Sequence, residues 1–309
     1  MKLSPLICGG ATFSKQYNED PESLPVVEIL RKCLITHRRC FNAVDTSPYY
    51  GDSELLVGQA LRELQIPRGE IYVCTKVGRV GVSEFDYSRE NVRMSVMRSV
   101  ERLVGEGGYL DVVYLHDVEF QPQEACLAAL DELQKLKRAG IVRNVGVSGY
   151  PLSKLYSLVS LCYDAGTPLD CVLSYCHMNL QNVMLEEYYA KFKSKGVQHV
   201  VNASVLSMSL LRSQKTLEFH PGSPELKRRA QQAATLCSSQ GVELADLATQ
   251  FALEQWSDRG PTVIGFSTPE EVTRAASNLA ETTAEHTDLV HSVQHSVLGD
   301  LFNTEWPSG

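Results

Sequence analysis

No apolar run in this chain approaches the roughly 20 residues needed to cross a bilayer as a helix. Nor does the N-terminus show a basic stretch followed by an apolar core. Membrane association is therefore not expected. There is no Cys-x-x-Cys pair, and the nine cysteines are scattered along the sequence. That pattern fits free, buried thiols in a reducing compartment and points to a cytoplasmic protein. Positive charge is in deficit, with 29 Lys and Arg against 37 Asp and Glu and a net charge of −8. Nucleic-acid binding needs a basic face to displace counterions, so that class of partner is excluded. No Gly-x-Gly-x-x-Gly follows a strand candidate, so the usual dinucleotide fingerprint is missing. His291 and His295 lie four apart but lack an intervening Glu or a third ligand, and read as solvated residues rather than a metal site. No repeat, low-complexity linker or shift in composition divides the chain, so residues 1–309 read as one domain with a tail from about 283.

What is present is an alternation of short apolar runs and helical stretches. With 309 residues and 43% apolar content, the chain can bury one large core. A barrel of eight strand–helix units takes about 250 residues before insertions, which fits. Strand candidates are Leu3 to Cys8, Phe41 to Asp45, Ile71 to Thr75, Leu110 to Leu115, Asn144 to Ser148, Asp170 to Tyr175, Gln198 to Ala203, and Thr262 to Ile264. Between them, Val26 to Cys40, Arg89 to Val104 and Pro122 to Ala139 have helical period. Ser88 is placed to cap the second of these, and Gly105 and Gly140 stop the second and third. The fold class is α/β, a (β/α)8 TIM barrel. Residues 207–225 are the longest irregular stretch and read as a functional loop over the mouth.

The C-terminal ends of barrel strands carry the chemistry in this architecture. Asp45 ends the second strand, Lys76 directly follows the third, His116 follows the fourth, and Tyr50 sits in the loop after Asp45. A structural reading remains for these residues: a buried Asp–Lys pair with a nearby Tyr and His bracing one end of the barrel. Against it, stabilising residues belong chiefly at the opposite face.

The chain resembles the aldo-keto reductase family. Asp45-Thr46 with Tyr50-Gly51 and Ser53-Glu54, Thr75-Lys76, Asp111 with Leu115-His116, and Val145-Gly146-Val147-Ser148 carry the resemblance, which runs from Gly9-Gly10 to about Asn278. Leu173 to His177, Asn202 to Met208 and Phe219-His220-Pro221 look like the sugar dehydrogenases within it, which oxidise D-arabinose or L-galactose at C1. The resemblance implies a nicotinamide cofactor, hydride transfer, and a catalytic set of Asp45, Tyr50, Lys76 and His116. Tyr50 would handle the proton on the substrate oxygen. Its ordinary pKa of about 10 is high for that work, and Lys76, held charged by Asp45, would stabilise the tyrosinate. His116 would orient the substrate oxygen.

The resemblance also implies a cofactor lying across the mouth, on Ala11, Thr12, Asp45, Ser148, Ser204, Leu206, Ile264, Gly265, Phe266, Ser267, Thr268 and Glu271. A sugar would lie against Tyr50, His116, Tyr175 and His177. Family members that use NADPH often carry Arg where this chain has Glu271, and Lys where it has Gly265. A carboxylate repels a 2′-phosphate and accepts hydrogen bonds from a free ribose hydroxyl, so NAD is expected. A first-turn helix residue facing water is the alternative reading of Glu271. Three usual nicotinamide contacts differ here: Gly149 stands for Asn, Leu173 for Gln, and Ala203 for Tyr. The expected activity is NAD-dependent oxidation of an aldose to its lactone, with no nucleic-acid or membrane partner and a monomer or weak homo-oligomer. Its rivals are an NADPH-dependent aldehyde or ketone reductase and a cofactor-binding regulatory subunit.

Overall fold

The computed structural model describes residues 1–280 and 283–308; Gly309, at the end of the expected tail, lies outside the described residues. Short runs rich in β-branched residues, buried on both faces, suit a parallel sheet covered by helices. Eight such runs form β1 (Leu6–Gly9), β2 (Phe41–Asp45), β3 (Tyr72–Val77), β4 (Leu110–Leu115), β5 (Val142–Gly149), β6 (Cys171–Tyr175), β7 (His199–Ala203) and β8 (Thr262–Gly265). They pair in chain order into a closed barrel. The last joins the first in parallel, from Leu6↔Thr262 to Gly9↔Gly265.

Around them run α1 (Val26–Arg31), α2 (Ser53–Leu64), α3 (Arg89–Val104), α4 (Gln123–Arg138), α5 (Leu152–Asp164), α6 (Leu185–Ser194), α7 (Pro224–Ser239), α8 (Leu244–Trp256) and α9 (Pro269–Asn278). Ser88 caps α3 by accepting from the Asn91 amide at 3.3 Å. Beyond α4, Gly140 takes a left-handed φ of 78° that ends the helix.

Several boundaries depart from the sequence reading by one or more residues, and three of the departures have a local cause. The first strand starts at Leu6 rather than Leu3, because Pro5 has no N–H to give and contributes only its carbonyl, to Thr262. The first helix stops early: after Arg31 it widens into a single π turn, Lys32–Thr36, and the chain then turns into β2. Lys76 lies inside β3 rather than beyond it, since Lys76↔Tyr114 and Val77↔Leu115 extend the pairing.

Ile7, Ala43, Cys74, Val112, Tyr114, Cys171, Leu173, Val201 and Ala203 fill the barrel interior. Tyr114 fits because Gly146 has no side chain; a β-carbon there would sit 2.7 Å from the Tyr114 ring and 2.5 Å from the Cys171 carbonyl oxygen. The expected tail is structured. Short helical turns from Thr283 to Leu301, including α10 (Thr287–His291), pack with α7. Trp306 then stacks on Tyr150, ring centroids 4.7 Å apart. Among the described residues no helix is long and apolar enough to cross a membrane.

Candidate active site

The strand register alone brings the polar ends of β2, β3 and β4 together. Asp45 pairs with Cys74, and Lys76 with Tyr114, so Asp45 and Lys76 face the same end of the barrel. The two form an ion pair with side chains 4% and 2% exposed. Lys76 Nζ also donates to the Thr46 carbonyl at 3.0 Å. The same ammonium lies 4.9 Å from the centroid of the Tyr50 ring. His116 is anchored on both sides. Its Nδ1 lies 3.2 Å from Ser47 Oγ, and Tyr87 donates its hydroxyl to the His116 carbonyl. The His116 ring stands edge-to-face with Tyr50 at 5.8 Å and with Tyr49 at 5.9 Å.

Burial sets the protonation of this group. It opposes the Lys76 charge, but Asp45 and Tyr50 more than compensate and push that ammonium above its ordinary value. Burial raises the Asp45 carboxyl, with Lys76 opposing. It also raises the Tyr50 hydroxyl; Lys76 pulls the other way, while Asp45 and Asp117 add to the rise. Tyr50 is thus a phenol at rest rather than the tyrosinate that a lysine alone would favour. For His116, burial lowers the imidazole to about 3, so the ring is neutral.

A cavity of about 440 Å³ opens over these residues. Its wall includes all four, and also Ala11, Thr12, Ser148, Tyr175, Ser204, Leu206, Ile264, Gly265, Phe266, Ser267 and Glu271. The segments after β1 and β8 are tied together there: Thr12 Oγ1 donates to the Phe266 carbonyl at 2.9 Å, and Asn18 Nδ2 to Ser267 Oγ at 3.1 Å. Leu173 and Ala203, which replace usual family side chains, line it as well.

Two expected contacts lie elsewhere. Thr268 is outside the cavity wall; its hydroxyl accepts from the Glu271 amide at 3.3 Å, as the N-cap of α9. His177 is fully buried under the tail. Its Nε2 lies 2.7 Å from the Glu305 carboxylate, its Nδ1 3.2 Å from Ser174, and its ring against Tyr150. A histidine two residues past the strand end has turned away from the mouth, because Cys176 takes a left-handed φ of 63°.

Glu271 serves the helix as well as the cavity. Its Oε2 accepts from the Ser267 amide at 2.7 Å and the Thr268 amide at 3.2 Å. This reciprocal cap pins the carboxylate at the rim.

The sequence reading passed over Tyr49, Arg79, Asp117 and Arg212, which all line the cavity. Tyr49 and Asp117 adjoin chosen residues, which was the available signal. Arg212 lies in the long loop after β7, and its buried Nε has no partner. Together with Ser204, Ser209 and Arg274 in the same wall, this unsatisfied donor suits an anionic diphosphate, so the residues present fit a nicotinamide dinucleotide.

A model of the aldo/keto reductase family matches residues 5–293. D-arabinose 1-dehydrogenase of Saccharomyces cerevisiae is 46% identical over 321 residues, which span 99% of this chain and 94% of that protein. L-galactose dehydrogenase of Arabidopsis thaliana is 37% identical over 87% of this chain and 83% of its own length. Among solved structures, the glycerol dehydrogenase of Gluconobacter oxydans covers 100% of this chain, and is itself covered to 96%, with a TM-score of 0.69. At 20% identity that likeness speaks for the fold alone.

Proposed function

The chain belongs to the aldo/keto reductase family and is an oxidoreductase acting on CH–OH groups, and we propose that it oxidises an aldose at C1 to the lactone, with NAD as acceptor. The observation that carries the reading is the convergence of Asp45, Lys76, Tyr50 and His116 on one cavity. Similarity over 99% and 87% of this chain to two proteins named as sugar dehydrogenases supports the choice of an aldose over a simple carbonyl.

The nicotinamide supplies hydride-accepting chemistry when bound. The protein supplies the proton path. Neutral His116 has one N–H to offer and orients the C1 oxygen. Tyr50 takes the proton from the C1 hydroxyl, which requires its phenol to ionise first. Lys76 stabilises the phenolate, and Asp45 keeps the lysine charged. Ser148, which lines the cavity with its hydroxyl 3.4 Å from the Leu115 carbonyl, would meet the carboxamide. Arg212 and the serines after β7 would hold the diphosphate.

The preference for NAD rests on Glu271. A carboxylate fixed at the rim by two amides repels a 2′-phosphate and accepts from a ribose hydroxyl. Nine free thiols, eight of them buried, accord with a reducing, cytoplasmic setting.

Initial rates with D-arabinose, L-galactose, L-fucose and a simple alcohol, each with NAD and NADP at mildly alkaline pH, test the reading. Turnover of sugars with NAD is expected. Activity confined to small carbonyls with NADPH would hand the case to a general reductase. Tight cofactor binding without turnover would favour a regulatory subunit.

A further inference from the structure

One wall of the cavity has no part in the reaction as described. Asp117, directly after His116, lines it with Arg79. Asp117 has a left-handed backbone, φ 55°. Such strain in a residue other than glycine persists where its surroundings over-determine it.

They do so here. Arg79 Nη1 donates to Asp117 Oδ2 at 2.5 Å. The same guanidinium is fixed in turn by the Gly81 and Val82 carbonyls, at 3.3 and 2.7 Å. Its Cζ lies 4.1 Å from the Tyr49 ring centroid. With Nε, Nη1 and Nη2 all committed to the protein, Arg79 is a clamp rather than a free hand. The clamped carboxylate is only 4% exposed, and its Oδ2 lies 3.6 Å from His116 Nε2. Its other oxygen, Oδ1, accepts no hydrogen bond among the described residues.

We propose that Asp117 is a specificity-determining residue that accepts a hydrogen bond from the sugar hydroxyl next to the reacting carbon. The proposal rests on the aldose reading above and names how the site tells an aldose from a plain aldehyde or alcohol. If His116 addresses the C1 oxygen, a carboxylate beside its Nε2 faces the neighbouring substituent. A carboxylate only accepts, so it selects a donor at that position, and a hydroxyl bonded to a charged oxygen makes one of the stronger contacts available. The Arg79 partner keeps the charge from being left bare in a buried wall. A substrate without that hydroxyl would cover this cavity-facing oxygen and leave it unpaired, and sites built this way discriminate steeply.

The test compares D-arabinose with its 2-deoxy counterpart in the wild type, Asp117→Asn and Asp117→Gly, all as full-length protein. Asn and Gly both tolerate the left-handed backbone, so neither change should strain the loop. In the wild type, loss of the hydroxyl should lower kcat/KM by roughly ten- to a hundredfold. In both variants the ratio between the two substrates should collapse towards one, with most of the loss in KM for D-arabinose and NAD binding unchanged. A variant that stays folded by thermal melting and loses equally on both substrates would overturn the assignment, since a merely structural role has no preference between them. A wild type that oxidises D-arabinose without favouring it over the deoxy sugar would overturn it too, and leave the aldose reading standing. Failure of the wild type on every aldose would instead sink the aldose reading, and this proposal with it.

Discussion

A β-carbon at position 149 would lie 2.4 Å from Glu119 Oε2. The family usually has Asn at this point, following the serine that meets the carboxamide; here the carboxyl of Glu119 occupies the space where that side chain would start. Its Oε1 accepts from the Tyr150 amide at 3.0 Å, the Tyr175 hydroxyl at 3.3 Å and the Ser308 hydroxyl at 3.2 Å. Burial, with Asp117 adding, pushes the Glu119 carboxyl up to about 7.

Restoring a side chain at 149 should therefore disturb Glu119 before anything else. Gly149→Ala is expected to cost about 1–2 kcal/mol by overpacking. In a Glu119→Ala background the same change should cost less, because its obstacle is gone. Chemical denaturation of the four proteins of that cycle measures the coupling. Strictly additive losses would mean the carboxyl moves aside freely.

Tyr50→Phe should lower sugar oxidation by about 10²–10⁴-fold while NAD binding stays within twofold, as expected for a residue that moves a proton. The wild-type pH profile carries the same information. Tyr50 starts from a raised value, so the fraction ionised, and with it the oxidation rate, should climb steadily from pH 6 to 9. His116, lowered to about 3, is neutral across that range and adds no second limb. A descending limb between pH 6 and 9 would contradict this assignment of roles.

Acid should destabilise the fold through its neutral histidines. Burial holds His116 near 3 and His220 near 4, both below the ordinary value. Between those values and about 6.5 the unfolded chain binds the extra protons, so their contribution is complete above pH 6.5 and is lost as pH falls towards 4. Urea unfolding from pH 7 to 4 should show a loss on the order of a few kcal/mol. His116→Gln should flatten that slope; an unchanged slope would remove His116 from the account.

Glu271→Gln removes the charge while keeping an acceptor for the Ser267 and Thr268 amides. The ratio of kcat/KM for NADP to that for NAD is expected to rise about tenfold, the size of one modest charge contact. Glu271→Arg should raise it further and lower stability by about 1 kcal/mol through the lost cap. A constant ratio in both variants would make Glu271 a helix cap only.

The barrel and its catalytic group were legible because each rests on local pattern. The β4 segment, Leu110–Leu115, matches the expected strand end for end, and three strands delivered Asp45, Lys76 and His116 to one rim. Loop geometry was not legible. His177 looked like a pocket residue until the left-handed turn at Cys176 carried it under the tail. Glu271 showed its charge in the sequence but not its grip on two amides, and Arg79 and Asp117 join only through the fold. The tail hid for another reason. Its order comes from distant partners such as Tyr150 and Gln181, which no period within the segment can announce.

Tyr114 gives the reaction chamber a solid floor. With that ring set where Gly146 leaves room, and with Ile7, Cys74, Val112 and Leu173 in the same buried cluster, side chains rather than open space fill the middle of the barrel. The cavity over Asp45, Tyr50, Lys76 and His116 thus sits on packed side chains, and the substrate and cofactor proposed above would both reach it from the side where the strands end.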